Sequence, residues 1–160
     1  MEVLDNLDEN QPVRYAGFWI RFVAYFIDGI ILSVIYGPIF FLFFAPAMGF
    51  AALAEDTEAM LAFYSSLTGF WLFIFVFQIV YYAGMESSVY QATLGKMAIG
   101  VIVIDEDGNR ISMGKGVGRF FAKILSGMIM YIGFIMAGFD SRKQALHDKL
   151  ASTFVVYKDK

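Results

Sequence analysis

Residues 17–44 read GFWIRFVAYFIDGIILSVIYGPIFFLFF, an apolar run that is long enough to cross a bilayer as one helix. Because a helix rises about 1.5 Å per residue and a hydrocarbon core is about 30 Å thick, the part from residue 22 onward spans the core unaided. Arg21 opens the run, and Asp28 lies on the order of 10 Å below the headgroups. A carboxylate at that depth is costly unless it is protonated, paired or hydrated, so Asp28 is a candidate functional residue.

The composition indicates an integral membrane protein with one domain. Of the 160 residues, 59% are hydrophobic, and the mean hydropathy is +0.62. The absence of cysteine excludes disulfides, thiolate metal sites and cysteine nucleophiles. A formal net charge of -3 argues against nucleic acid as a partner. We expect residues 1–16 to form a cytoplasmic N-terminal segment rather than a signal peptide, residues 17–157 the membrane domain, and residues 158–160 the C-terminal tail.

Two hydrophobic segments are separated by a short polar connection. Pro38 is expected to bend the first helix and Pro46 to end it, because proline lacks a backbone donor and clashes with the preceding turn. Residues 47–60 contain acidic side chains and no lysine or arginine. Residues 61–83 are apolar again, which predicts a second transmembrane helix.

Gln78 is the one strongly polar side chain of this second segment, and Tyr82 and Glu86 follow it at intervals of four. Residues with this spacing share one face of a helix. The two spans run antiparallel, and Gln78 and Asp28 lie at similar depth, so we expect these side chains to face each other. The alternative is that Gln78 only joins two helices by a hydrogen bond.

Asp28 needs a partner from another segment, because helical side chains lean towards the N-terminus and Arg21 therefore points away from it. The candidates are Gln78, a tyrosine such as Tyr25 or Tyr82, and backbone donors at the start of a half-helix after residue 127. An ion or proton site formed by Asp28, Gln78 and Tyr82 is the functional hypothesis. The alternative is a hydrogen-bonded aspartate that only holds helices together.

Residues 99–104 are rich in β-branched side chains and are followed by Asp107-Gly108 and Ile111, which predicts a small cytoplasmic β-hairpin. The C-terminal segment STFVVY, residues 152–157, also has strand propensity. It is able to add a third strand to the hairpin.

Lys115, Arg119 and Lys123 recur every four residues and predict a basic stripe along one helix. The other positions of this helix are largely apolar. This pattern is typical of a helix in the membrane surface whose cations contact anionic lipid headgroups.

The distribution of positive charge predicts the topology. None of the 12 lysine and arginine residues lies in residues 47–60, so the positive-inside rule places both chain ends and the hairpin in the cytoplasm. A third apolar stretch, residues 120–139, would carry a basic tail across the membrane if it crossed. We therefore favour a re-entrant or interfacial helical segment, although glycine is common in crossing helices too. The predicted fold is a mainly α membrane protein with two transmembrane helices.

The segments YAGFWIRFVAYFIDGIIL, TLGKMAIGVIVIDEDGNRISMGKGVGRFFAKIL and SRKQALHDKLASTFVV resemble the RDD family of small prokaryotic membrane proteins. The family is named for one arginine and two aspartates. Arg21 and Asp28 match the arginine that opens the first membrane helix and the aspartate within it, and Asp148 matches the second aspartate, with Asp140 as the other candidate. The resemblance covers residues 15–157. It implies a multi-pass protein of the cytoplasmic (inner) membrane and a role in transport of ligands that are not settled.

Two functions compete. The first is a small secondary transporter or ion pathway that uses Asp28 for proton or cation coupling and that must form a homo-oligomer to enclose a pathway. The second is a non-transporting membrane module that binds a lipid, a small ligand or a partner membrane protein. We expect no enzyme, because no nucleophile or acid–base pair with matched geometry is visible. We also expect no cofactor and no metal site, since the single histidine, His147, has no set of ligands spaced around it.

Overall fold

A computed structural model describes residues 13–54, 56–129 and 132–158 of the chain. They form two compact units. The first contains the residues up to Asp28 together with those from Ile79 onward, and the second is Gly29–Gln78. The predicted N-terminal segment falls mostly outside the described residues, as does most of the predicted tail.

Two long apolar helices account for most of the first half of the chain. Helix α1 is Phe18–Ala54, and helix α2 is Thr57–Glu86. By length and composition, both are able to cross a membrane, over Phe18–Ala51 and Thr57–Glu86. The prediction of two transmembrane helices is therefore confirmed.

The prediction that Pro46 ends the first helix is wrong, since both Pro38 and Pro46 lie inside α1. Proline removes only one donor from a helix, and membrane helices tolerate this loss where nearby groups satisfy the freed carbonyl. The residues after Pro46 read AMGFAALA and contain four alanines, which favour a helix. The connection between the two helices is correspondingly short.

The second unit consists of the two helical segments in Gly29–Gln78, which pack through aromatic rings. Phe70 contacts Phe44 with ring centroids 4.7 Å apart and Phe40 at 6.1 Å. Further along, Tyr36 meets Phe77 edge to face at 5.7 Å. Aromatic side chains thus make the contacts through which the two helical segments of this unit pack.

The first unit contains a two-stranded antiparallel sheet. Strand β1, Val101–Asp105, pairs with strand β2, Thr153–Tyr157, so that Val103 lies opposite Val155. The C-terminal strand predicted from the sequence is therefore the partner of β1. The chain after the Asp107-Gly108 turn forms no strand, because only a few residues separate this turn from the next helix.

Among the described residues, four shorter helices complete the first unit: α3, Leu94–Ala98; α4, Met113–Met128; α5, Ile132–Phe139; and α6, Leu146–Leu150. Helix α4, which is 16 residues long, begins after its N-cap Ser112, whose hydroxyl accepts the Lys115 N–H. Helix α5 follows at an angle of 100° to α4, which gives the pair the form of a broken span or a re-entrant loop.

Candidate functional site

Asp28 accepts three hydrogen bonds in the first unit and is 1% exposed. The donors are the Tyr81 hydroxyl at 2.7 Å, the Thr93 hydroxyl at 2.6 Å and the backbone N–H of Gly95 at 2.7 Å. The Tyr81 oxygen in turn accepts the N–H of Leu94 at 3.2 Å. The carboxylate therefore ties α1 to the start of α3 and to the end of α2.

Gly95 is required by the close approach of α3 to α1. A Cβ built on Gly95 would meet the carbonyl oxygen of Ala24 below any contact distance, and it would lie 2.9 Å from the Asp28 Cγ. Thr93 caps the same helix, because its hydroxyl accepts the N–H of Lys96. Residues 93–96, TLGK, thus supply both the N-cap of α3 and the glycine at which α3 approaches the backbone of α1.

Glu86, at the end of α2, is fully buried and binds three cations. Its Oε1 accepts Lys96 Nζ at 2.6 Å and Lys123 Nζ at 2.8 Å, and its Oε2 accepts Arg119 Nη1 at 2.6 Å. Removing a carboxylate from water is costly, and close cationic partners with good hydrogen-bond geometry offset the cost. Glu86 is therefore the centre of a buried ion cluster.

Asp148 is the second buried acid of this cluster. It binds Arg21 through one oxygen and Arg119 through the other, and it accepts the N–H of Ala145 at 3.1 Å. Arg21 also donates to the carbonyl of Ala16 at 2.8 Å. Because Arg119 binds both Glu86 and Asp148, the ion pairs form one continuous network, which we call the buried ion network: Arg21, Asp148, Arg119, Glu86, Lys96 and Lys123.

Burial and charge shift the pKa values of groups in this region. Burial by itself would raise the pKa of Asp148, but the Arg21 and Arg119 charges hold it below its usual range. Burial lowers the pKa of His147 well below its usual range, and Asp148 offsets this only in part. Burial also lowers the pKa of Lys96 to about 7, against the opposing effect of Glu86. Asp148 is thus a carboxylate, and His147 is neutral, at neutral pH.

A cavity of about 520 Å³ lies beside the network within the first unit. Pockets for small molecules in proteins usually measure about 300–1,000 Å³. Asp28 and four cations of the network line it, together with His147 and a larger number of apolar and aromatic side chains: Phe18, Phe22, Tyr25, Tyr82, Phe134, Ile135 and Ala145. The cavity therefore has both a charged and an apolar wall.

Two residues that line the cavity carry buried nitrogen atoms without a hydrogen-bond partner among the described residues. They are the Nε of Arg119 and the Nδ1 of His147. The Nε2 of His147 is 3.6 Å from a carboxylate oxygen of Asp148, which is too long for a normal hydrogen bond. Buried polar atoms nearly always have partners, so these two need an explanation.

The structure brings together some of the residues that the sequence singled out. Asp28 and Tyr82 line one cavity, and Arg21 pairs with Asp148, the residue that matches the second aspartate of the RDD family. Asp140 lies apart from that pair and binds Lys149 at 2.5 Å. Gln78 belongs to the second unit, and its pairing with Asp28 stays a prediction.

The predicted basic stripe differs from the structure. Arg119 is fully buried between two acids, and Lys123 turns to Glu86 with a side chain that is 16% exposed. The prediction that Arg119 contacts lipid headgroups from an exposed helix face is therefore corrected. The spacing of four residues places these cations on one face of α4. That face is turned into the first unit because Arg119 pairs with Glu86 and Asp148, which belong to other elements, and Lys123 pairs with Glu86. The headgroup contact of Lys115 stays a prediction.

Sequence reasoning missed several residues of the site. It did not pair Asp28 with Tyr81, Thr93 or Gly95, although a capping threonine followed by glycine at the start of a helix is a readable signal. It also placed Glu86 on one helix face with Gln78 and Tyr82 but assigned it no cationic partner. The described residues contain no cluster of three or more His, Asp or Glu side chains arranged to hold a metal ion.

Comparisons with known proteins match this chain to one family model and to two relatives from Bacillus subtilis. The sequence profile of the RDD family matches residues 15–152. The chain is 46% identical over 151 residues to "Uncharacterized protein YxaI" of Bacillus subtilis (strain 168), covering 89% of this chain and 97% of that one. It is 29% identical over 156 residues to "Uncharacterized membrane protein YteJ" of the same organism, covering 90% and 82%.

No solved structure matches the chain. The profile nevertheless extends over most of the sequence, from the segment before α1 to the end of α6, and it includes every residue of the buried ion network. The chain therefore belongs to the RDD family of membrane proteins.

Proposed function

We propose that this protein is a non-enzymatic membrane module that binds a small amphipathic molecule in the cavity of the first unit. The observation that carries the proposal is the composition of the cavity wall, where aromatic side chains meet buried charged groups. Ligand sites in proteins are typically concave and mostly apolar, with a few placed polar groups that orient the ligand. This cavity has both properties.

The aromatic wall supports an apolar ligand segment. Tyr25 and Tyr82 stack with ring centroids 6.3 Å apart, and Lys123 lies 5.0 Å from the centre of the Tyr82 ring. Phe22 and Ile135 are 51% and 43% exposed. An apolar chain that entered from the lipid would keep an apolar environment along these side chains.

Photo-crosslinking tests the proposal. A neutral diazirine analogue of dodecanol is added to the protein in nanodiscs of zwitterionic lipid, and the labelled positions are mapped by mass spectrometry. We expect saturable labelling of Phe22, Tyr25 and Ile135. The Ile135→Trp variant should weaken it, because the larger indole occupies part of the cavity.

The matched control is Ile132→Trp on the same helix. Ile132 is 57% exposed and does not line the cavity, so its replacement should leave the labelling unchanged. Equal, non-saturable labelling of all lipid-facing positions in the wild-type protein would contradict the proposal.

Secondary transport with Asp28 as the coupling group is the second candidate function. It is supported by the position of Asp28, which is the last residue of α1 that belongs to the first unit. Asp28 is buried and lines the same cavity. Reconstituted protein should then move protons or cations, and Asp28→Asn should abolish this flux while leaving assembly intact. Absence of flux in wild-type proteoliposomes over a range of pH would remove this candidate.

A homo-oligomer belongs to the transport candidate, because two spans cannot enclose a pathway alone. We also propose that the protein lies in the prokaryotic cytoplasmic membrane with both chain ends in the cytoplasm, on the basis of its charge distribution. The chain has no cysteine. Single Asp56→Cys and Lys158→Cys variants therefore report the topology: an impermeant maleimide should label only the first from outside, and cross-linking of either variant measures the oligomer.

A further inference from the structure

The charged wall of the cavity is cationic. Arg21, Lys96, Arg119 and Lys123 line it, whereas Asp28 is the single acid among the lining residues of the described chain. The Asp28 carboxylate accepts hydrogen bonds from three neutral donors and forms no ion pair with these cations among the described residues.

The buried charges of this region do not cancel. The four cations face three carboxylates, namely Asp28 and the two acids of the buried ion network, Glu86 and Asp148. One positive charge therefore remains when all of these groups are ionised. An uncompensated charge is costly away from water, and a protein either sheds a proton or binds a counter-ion to remove it.

The same wall contains two buried nitrogen atoms that have no hydrogen-bond partner among the described residues. Arg119 is 0% exposed and His147 is 4% exposed, and the Nε of the first and the Nδ1 of the second have no hydrogen bond within the described chain. The Nε of an arginine is always a donor, and charge-assisted hydrogen bonds to an anionic oxygen are among the strongest in proteins. An anionic ligand oxygen would satisfy it.

We propose that the cavity binds a monoanionic amphipath, whose carboxylate or phosphodiester head lies against Arg119 and Lys123 and whose apolar tail lies along the aromatic wall. The inference rests on the proposed binding function and specifies the ligand's charge. A single negative charge balances the excess of the wall. A cation would meet four like charges, and a neutral head would accept a hydrogen bond from the guanidinium without balancing the excess charge.

Competition experiments test the ligand's charge separately from the binding function. The neutral diazirine probe is displaced in nanodiscs of zwitterionic lipid by laurate or by dodecanol, which share a chain length and differ in the head. We expect laurate to compete at a concentration about tenfold lower or more, since hydrogen bonds to charged groups contribute this much to affinity. In a second arm, short-chain phosphatidylglycerol is compared with the corresponding phosphatidylcholine.

The variant Lys123→Gln should reduce the preference for the anion to about threefold or less, because it removes one cation and leaves two on Glu86. Lys158→Gln is the matched control. Lys158 is exposed and lies outside the cavity, so its replacement should leave the preference unchanged. Correct folding of both variants is checked by labelling with the neutral probe itself.

Each outcome decides one point. Preference for laurate over dodecanol supports a free carboxylate amphipath, and preference for phosphatidylglycerol alone supports a lipid headgroup. Saturable labelling with equal competition by the charged and neutral members of both pairs would overturn the inference and leave the proposed binding function standing. Absence of saturable labelling would overturn both.

Discussion

The two units of this protein are stabilised by different kinds of contact. The first has six ion pairs among the residues that the structure describes, five of which form the buried ion network. In the second unit, the hydroxyls of Ser33, Ser65, Ser66 and Thr68 donate to carbonyls three or four residues earlier on their own helix, and the contacts between helices are aromatic.

This difference indicates where stability and specificity are concentrated. Ion pairs that are removed from water have directional partners, so the loss of one member leaves another charge buried and unpaired. Apolar rings tolerate changes of partner, provided that volume is roughly conserved. Substitutions of equal size should therefore have unequal effects in the two units.

The largest effect is expected for Arg119→Met in the first unit. The substitution removes the side chain that joins Glu86 to Asp148, and it should lower the free energy of unfolding by about 3–5 kcal/mol. SDS titration of the protein in mild detergent measures the change. Lys115→Met on the same helix should change it by less than about 0.5 kcal/mol. Equal values for both variants would mean that the network does not stabilise the unit.

Gly95→Ala should have the next largest effect. The added methyl group meets the Ala24 carbonyl oxygen, which is backbone and cannot turn aside, so the free energy of unfolding should fall by about 2 kcal/mol. Gly118→Ala is the control, because nothing lies within 4 Å of its Cβ position. It should be neutral or stabilise the protein by up to about 1 kcal/mol, since alanine favours a helix. Similar losses in both variants would argue against a close approach at Gly95.

Acidification should destabilise the first unit through His147. Its folded pKa is lowered by burial, so below the unfolded value of about 6.5 the unfolded chain binds a proton that the folded chain does not. The contribution is fully present above that value and is lost as the pH falls. Between pH 6.5 and 5.0, the free energy of unfolding should fall by about 1.5 kcal/mol. In His147→Gln this loss should be absent, and an unchanged slope would assign the pH dependence to other groups.

The smallest effect is expected in the second unit. Phe70→Leu removes ring contacts with Phe40 and Phe44 but keeps an apolar side chain, so the free energy of unfolding should fall by about 1 kcal/mol. Phe50→Leu, at a position that is 72% exposed, should change it by less than about 0.5 kcal/mol. A loss at Phe70 as large as that of Arg119→Met would remove the contrast between the units.

Part of the candidate site was predictable from sequence. The burial of Asp28 follows from its place inside an apolar run, and the resemblance to the RDD family singled out Arg21 and Asp148, which form an ion pair. A backbone donor for Asp28 was expected from a half-helix after residue 127, whereas the donor in the structure is Gly95 in α3. Periodicity placed Lys115, Arg119 and Lys123 on one face, but it contains no information about what that face meets.

The sequence by itself determined the membrane class, the two long apolar helices, the capacity of the tail to form a strand, and the burial of one carboxylate. These properties depend on hydrophobicity, charge and periodicity within one segment. Only the tertiary structure decided that Arg119 is buried, that Glu86 gathers three cations, and that a cavity lies beside them. The physical reason is that a buried charge takes the partner that the fold brings to it, and Arg21 and Asp148 are 127 residues apart in the chain.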